Sequence, residues 1–264
     1  MIAERRVRMI KAERQERIKE MVSSKGTVTI GDMVRELGVS NMTVRRDLDE
    51  LSRDGQLVRV HGGACRVEPH HRSVISREYS HAEKSLRRIG EKDESAKTAA
   101  SLIEPGETVF LGTGTTVERM VRYLPQCRLR IVTNSLSVFN LLSVRDEPEL
   151  ELVLTGGIFR KRTAAFVGPL AESDIRKIGI GTSFIGANGV CGNEVSTSNM
   201  EEGSLQRLAY ESSDRRLLVV DSSKFGNRDF YVFYNVSDLD AIVCEGSARD
   251  EVVSPIQEFT KVIR

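Results

Sequence analysis

From Thr108 onward, short runs of Val, Ile and Leu alternate with helix-length polar stretches, and this alternation constrains the fold more than any other feature. "TVFLGTGTTVERM", "LRIVTNS", "LELVLTGG", "GTSFIGANG", "RLLVVDSSKFG" and "LDAIVCEG" each carry an apolar run into small or turn-forming residues. Between them lie "LSVFNLLSV", "GPLAESDIRKIG" and "SLQRLAYESSD", whose length and pattern suit helices. A strand then a helix, repeated, predicts a mostly parallel sheet with helices on its faces and functional loops at the strand C-termini.

The 264 residues leave room for a second, smaller unit. The stretch "GGACRVEPHHRSVISREYS" has no sustained period and carries Gly, Pro and Ser. Residues 67–82 therefore read as a linker between an N-terminal domain at 13–66 and an α/β domain at 83–264. Overall charge is balanced, with 39 Lys plus Arg against 38 Asp plus Glu, which removes any global argument for a polyanionic partner. The distribution is uneven: residues 1–66 carry a net +4 and the remainder −3, an asymmetry that permits nucleic-acid binding at the N-terminal end. No apolar run approaches the roughly 20 residues needed to span a bilayer, and "MIAERRVRMIKAERQER" is too charged for a signal peptide. A cytoplasmic protein with no membrane partner is expected. Cys65, Cys127, Cys191 and Cys244 are too scattered for a metal pattern and read as incidental thiols. The histidines His61, His70, His71 and His81 also lack ligand spacing and read as solvent-exposed, so neither metal nor cofactor is expected.

Within the N-terminal domain a first helix is expected over about Glu13 to Ser23. Gly26 and a β-branched run break it, and a second helix from about Ile30 to Leu37 ends at Gly38. This sequence of elements is helix-turn-helix geometry. A third helix starts at Ser40 as N-cap, and Val44, Leu48 and Leu51 recur at i, i+4 and i+7, so they face the core. Arg46, with Met42, Asp49 and Arg53, then lies nearly opposite that stripe, and Asn41, Thr43 and Arg45 flank it. Such a face fits the major groove of duplex DNA, where Arg bridges guanine O6 and N7 and Asn does the same for adenine. After Gly55, "QLVRVHGG" reads as a β-hairpin wing in which Arg59 and His61 meet phosphate or the minor groove. An Arg-Arg pair alone is ordinarily a solvated face; the glycine-ended second helix, the serine cap, the core stripe and the wing favour DNA.

In the α/β domain, "GTGTT" suits phosphate because Gly112 and Gly114 let the backbone approach while Thr113, Thr115 and Thr116 supply hydroxyls. The spacing fits neither a P-loop nor a dinucleotide fingerprint, and close strand-to-helix packing also wants glycine. Asn134 and Ser135, the loop of Gly156 and Gly157, and Lys224 are expected on the same sheet edge, with a second cation from Arg160, Lys161 or Arg162.

These motifs carry a resemblance. "RQERIKEMVSSKGTVTIGDMVRELGVSNMTVRRDLDELSRDGQLVRVHGGA" resembles the winged helix-turn-helix of the DeoR family of bacterial sugar-metabolism regulators, and "GTGTT", "VTNS", "FVG", "FIGANG" and "VDSSKFG" resemble its effector domain. The resemblance implies an N-terminal winged helix-turn-helix followed by a Rossmann-like α/β domain similar to ribose-5-phosphate isomerase. It also implies a recognition helix over Ser40 to Asp54, with Arg45 and Arg46 on DNA, and a phosphorylated sugar as effector. Asn188 and Glu202 join the effector set. Asn188 stands where the family more often has Asp, and Gln206 with Arg207 replaces a usual Lys-Arg pair. The function expected is a DNA-binding repressor of a sugar-metabolism operon, acting as a homo-oligomer, dimer or tetramer. A sugar-phosphate isomerase with a DNA-binding appendage competes with it. Isomerisation needs a base, and "Ile185-Gly186-Ala187-Asn188" carries none where the isomerases read D-G-A-D; Glu202 is the acid left nearby, so catalysis is disfavoured and no enzymatic activity is expected. An architectural DNA binder with no ligand is the third possibility, disfavoured by the polar loops.

Overall fold

The computed structural model describes residues 10–25, 27–54, 56–60, 62–65 and 79–264. The expected breaks at Gly26 and Gly55, the wing residue His61, the pair His70 and His71, linker residues 67–78 and the side chain of Arg53 lie outside what is described. The chain divides into two compact units between residues 72 and 73. No helix among the described residues is long and apolar enough to cross a membrane.

The first unit comprises α1 (Lys11–Lys25), β1 (Thr27–Thr29), α2 (Ile30–Leu37), α3 (Asn41–Arg53), β2 (Val58–Val60) and β3 (Gly63–Cys65). Local chemistry sets the helix ends. The Thr29 hydroxyl accepts from Asp32 N at 3.1 Å to start α2, and Gly38 takes the left-handed conformation (φ 64°) that ends it. Ser40 caps α3 by accepting from Thr43 N at 3.2 Å. Val44, Leu48 and Leu51 are all buried, packed in one core with Ile18, Met33 and Leu37. Each such side chain contributes about 1.5–3 kcal/mol on burial. β1, β3 and β2 form an antiparallel sheet in that order. The β2–β3 hairpin is the expected wing; its pairing with β1 is a long-range event that local pattern does not reveal. β1 and β3 approach so closely that a Cβ on Gly63 would overlap the Val28 carbonyl.

The second unit contains α4 (His81–Ser85), α5 (Ile89–Ala100), β4 (Thr108–Leu111), α6 (Thr115–Met120), β5 (Leu129–Thr133), α7 (Leu136–Ser143) and β6 (Leu150–Leu154). A hairpin, β7 (Ile158–Arg160) and β8 (Ala165–Val167), leads into α8 (Pro169–Ile175), β9 (Ile180–Ile185), β10 (Gly189–Cys191) and β11 (Glu194–Thr197). Then come α9 (Met200–Glu211), β12 (Ser213–Val219), β13 (Tyr231–Asn235), β14 (Ala241–Val243), α10 (Asp250–Gln257) and β15 (Val262–Ile263). Seven strands form one parallel sheet, ordered β15-β14-β12-β9-β4-β5-β6. Their side chains alternate between two cores: Phe110 and Leu218 on one face, Val109, Leu111, Leu217 and Val219 on the other. Helices α8, α9 and α10 cover the Phe110 face, and α5, α6 and α7 cover the opposite one. β10, β11 and β13 make a separate antiparallel sheet.

Two expectations are refined here. Within the linker bounds of 67–82, a charged helical segment is expected from about Ser80, and a helix begins there: Ser80 and Glu83 form a capping box, and His81 N donates to Arg162 O at 3.0 Å. The segment Thr155 to Arg162, read as a loop, contains β7, because β8 supplies the partner that lets it extend.

Inside the first unit, the Arg14 guanidinium holds Asp47 by two hydrogen bonds, at 2.5 and 3.0 Å, tying α1 to α3. Asp47 is buried. Losing the carboxylate removes both of these charge-assisted bonds, so Asp47→Ala is expected to cost about 1.5–3 kcal/mol. Urea titration read by protease cleavage within residues 10–65 tests this; an unchanged midpoint would show that the pair does not hold α1 to α3.

Candidate functional site

In the first unit the α3 cap and core stripe fix which face points outward. Asn41, Met42, Arg45 and Arg46 are exposed, and Thr43 is half-buried with its hydroxyl 2.9 Å from Ser40 Oγ. Arg46 is 84% exposed and reaches Glu50 at 3.9 Å, a surface pair of little energetic consequence. The face therefore offers an amide, a thioether and two guanidinium groups at the start of a helix, as major-groove readout requires. Arg59, expected to meet DNA, also has a partner within the unit. Its guanidinium is hydrogen-bonded to Asp49, so it joins the wing strand β2 to α3 as well as lying beside that face. The face and the wing hold together because Asp49 sits on the outer side of the helix.

In the second unit the strand order reverses at β4 and β9, which are neighbours in the sheet although four strands separate them in sequence. At such a reversal the loops leaving the two strands diverge to opposite faces and leave a crevice at their C-terminal ends. A cavity occupies that position. Its walls include Thr113, Gly114, Thr115 and Thr116 from the turn after β4, and Gly186, Ala187 and Asn188 from the turn after β9. Gly114 has φ 138°, a conformation L side chains rarely adopt, and packs beside Gly186. Lys224 enters from the turn after β12, and Glu202 and Gln206 from α9.

Two further lysines complete the cationic side. Lys84 of α4 donates to Asn188 Oδ1 at 2.9 Å, and the buried Lys92 of α5 donates to the Lys84 carbonyl at 2.5 Å. Burial pushes the Lys92 ammonium down to about 8; Asp221 opposes this, and Lys224, Arg119 and Lys84 reinforce it. Glu202, the acidic group in the cavity wall, is already engaged by Arg160 at 3.1 Å and by the Thr163 hydroxyl. Three lysines thus stand against one carboxylate that is already paired, a charge balance that suits an anion. The threonine hydroxyls beside them supply uncharged donors.

Of the residues expected from sequence to meet an effector, Thr113, Gly114, Thr115, Thr116, Asn188, Glu202 and Lys224 share this cavity. The others do not line it. Gly112 packs against Phe184 and Ile185, and its amide donates to Phe184 O at 3.0 Å. Asn134 donates to Phe166 O at 3.1 Å, and Ser135 caps α7. Gly156 N donates to Asp174 at 3.1 Å, and Gly157, at φ 121°, allows close approach of the Val167 carbonyl. For the four residues after β5 and β6 the reason is topological: those strands lie beyond β4, away from the reversal, so their loops serve the β7–β8 hairpin. Among the three basic candidates after β6, Arg160 turns to Glu202, whereas Lys161 and Arg162 are exposed. His81, expected in solvent, is half-buried in the cavity wall with Nε2 2.5 Å from Glu118 Oε2.

Sequence reasoning missed Lys84, Lys92 and Thr163 and gave Gln206 no place in the cavity. For Lys92 there was a signal: it precedes Ser95, Ala96 and Ala99 at i+3, i+4 and i+7, and all four share the buried face of α5. For Lys84 and Thr163 no local pattern marks the role, since the cavity gathers them from segments far apart in the chain.

Comparison with known proteins agrees with both halves. Residues 14–70 match the DeoR-like helix-turn-helix domain, and residues 87–246 match the DeoR C terminal sensor domain. The chain is 38% identical over 256 residues to the lactose phosphotransferase system repressor of Streptococcus mutans, covering 97% of this chain and all of that protein. It is 37% identical over 259 residues to the protein of the same name from Lactococcus lactis subsp. lactis, covering 97% of this chain and 99% of that one. Among solved structures, ribose 5-phosphate isomerase A from Methanocaldococcus jannaschii overlaps 50% of this chain and 52% of its own, at 19% identity and a TM-score of 0.36. With a family model spanning its sensor half, another spanning its helix-turn-helix, and relatives matched end to end, the chain belongs to the DeoR family of transcription regulators.

Proposed function

We propose that this protein represses a sugar-metabolism operon and that a phosphorylated sugar, bound in the cavity at the β4–β9 reversal, controls its hold on DNA. The observation that carries the reading is the pairing of an exposed arginine face on α3 with a cavity lined by Lys84, Lys92 and Lys224. The phosphate sits with the lysines, Asn188 beside Lys84, and the Thr113 to Thr116 turn, and sugar hydroxyls face α9. The names of the relatives, lactose phosphotransferase system repressors, support a sugar-linked regulator. The protein works in the cytoplasm, as a homo-oligomer: one winged helix buries too little surface for high specificity, so two half-sites about 34 Å or a multiple apart are read together.

On this reading the protein is a sensor and not an isomerase. Asn188 cannot take a proton from a sugar carbon, and Glu202 is held by Arg160 and Thr163. Incubation with pentose and hexose phosphates is expected to give ligand-induced stabilisation, about 2.7 kcal/mol at 100 times Kd, and no turnover. Measurable isomerisation would overturn the sensor assignment.

For the DNA face, Arg46→Ala is expected to weaken operator binding by about 1–3 kcal/mol and to relax base preference. Arg59→Ala is expected to weaken operator and random duplexes alike. Titration of both duplexes with each variant measures this; operator affinity equal to the parent's for Arg46→Ala would remove Arg46 from the groove.

The lysine end carries a pH dependence. Because burial brings Lys92 down to about 8, it is charged at pH 7 and loses its proton as pH rises through 8, so anion affinity is expected to fall between pH 7 and 9. Folding follows the opposite sign: the folded pKa lies below the ordinary value of 10.5, the unfolded chain binds more protons between the two, and stability rises over that interval. Calorimetric titration of a sugar phosphate across this range checks the first effect. Affinity independent of pH in the parent would contradict the role given to Lys92.

A further inference from the structure

The cavity draws its walls from both faces of the sheet. Lys92 belongs to α5, whose Ala96 and Ala99 pack on one face; Gln206 belongs to α9, whose Leu205 and Leu208 pack on the other. A ligand filling the cavity can therefore meet Lys92 from one face of the sheet and Gln206 from the other. On α9, Glu202 and Gln206 are one helical turn apart and share the side that faces the cavity. Glu202 is engaged by Arg160 and Thr163, but Gln206 is not matched in this way. It is 5% exposed, and no described group donates a hydrogen bond to its enclosed Oε1.

An enclosed acceptor without a donor bears the full desolvation penalty of the group, and native proteins keep such atoms rarely and for a reason. A ligand that completes the amide recovers that penalty, whereas one that cannot leaves it in place. This asymmetry makes unpaired polar groups strong discriminators between related ligands. The oxygen and nitrogen of a glutamine amide exchange places with little change of shape. A hydroxyl, which both donates and accepts, satisfies either orientation.

Resting on the sugar-phosphate reading of this cavity, we propose that Gln206 is the specificity-determining residue that recognises a hydroxyl on the sugar portion of the effector. The ligand carries its phosphate at the lysine end and an uncharged, hydroxyl-bearing carbon at the α9 end. A sugar bisphosphate is rejected, since its second phosphate would meet a neutral amide, and the carboxylate next to it already takes up the nearby Arg160 guanidinium.

Calorimetric titration of the full chain tests this with three probes: hexose and pentose monophosphates, the deoxy analogues of whichever monophosphate binds, and a hexose bisphosphate. Gln206→Met is expected to weaken the monophosphate by about tenfold, one hydrogen bond's worth of discrimination. It is expected to melt, without ligand, no lower than the parent, because the unpaired acceptor is gone. The deoxy analogue that lacks the recognised hydroxyl is expected to bind the parent and Gln206→Met equally. Gln206→Lys, which places a cation at the α9 end, is expected to gain affinity for the bisphosphate. If the parent binds a monophosphate and Gln206→Met binds it equally well, the assignment of Gln206 is wrong and the sugar-phosphate reading stands. If the parent binds no sugar phosphate at all, the sugar-phosphate reading fails and this inference with it.

Discussion

The reversal of strand order at β4 and β9 is the constraint on which the sensing half of the molecule depends. Parallel strands with helices on both faces bury their side chains almost completely, so the sheet has no room for a ligand within its layers. Only where neighbouring strands send their loops to opposite faces does the backbone open. Here that opening receives a Gly-Thr turn from one strand and a Gly-Ala-Asn turn from the other. Helices from both faces then reach it, which is how Lys92 of α5 and Gln206 of α9 come to share one cavity.

A comparable logic governs the DNA-binding unit, where the acids of α3 are all engaged. Asp47 is buried against Arg14, Asp49 bonds Arg59 of the wing, and Glu50 pairs with Lys11 at 2.5 Å and with Gln15 at 2.9 Å. These contacts tie α3 to α1 and β2. They also partly neutralise the carboxylates that would otherwise repel a phosphate backbone, while Arg45 and Arg46 remain exposed. Helical periodicity produces this division: Val44, Leu48 and Leu51 turn inward and so force the arginine pair outward.

Features written in local chemistry are legible in the amino-acid order alone. The Ile30–Leu37 helix with its Gly38 end, the Ser40 cap, the α3 stripe and the run of parallel strands all follow from caps, turns and periodicity. Features set by distant pairing are not. The β1–β3 pairing joins residues more than thirty positions apart, and β7 is a strand only because β8 lies beside it. Asn134, Ser135, Gly156 and Gly157 end strands just as Thr113 and Asn188 do, and nothing local signals that β5 and β6 sit on the far side of the reversal. Lys84 looks like an ordinary helix-surface lysine until the tertiary fold gathers it into the cavity, whereas Lys92 is marked by the small-residue face it shares on α5.

An anionic sugar held by the lysine end is thus expected to change the grip of the arginine face on DNA. Fluorescence anisotropy of a duplex from the protein's own upstream region, titrated with and without sugar monophosphates, tests this most directly when the parent is run beside Lys92→Met. At least one monophosphate is predicted to shift the parent's affinity for that duplex and to leave the variant's unchanged. A shift of equal size in both proteins, or none with any monophosphate, would contradict it.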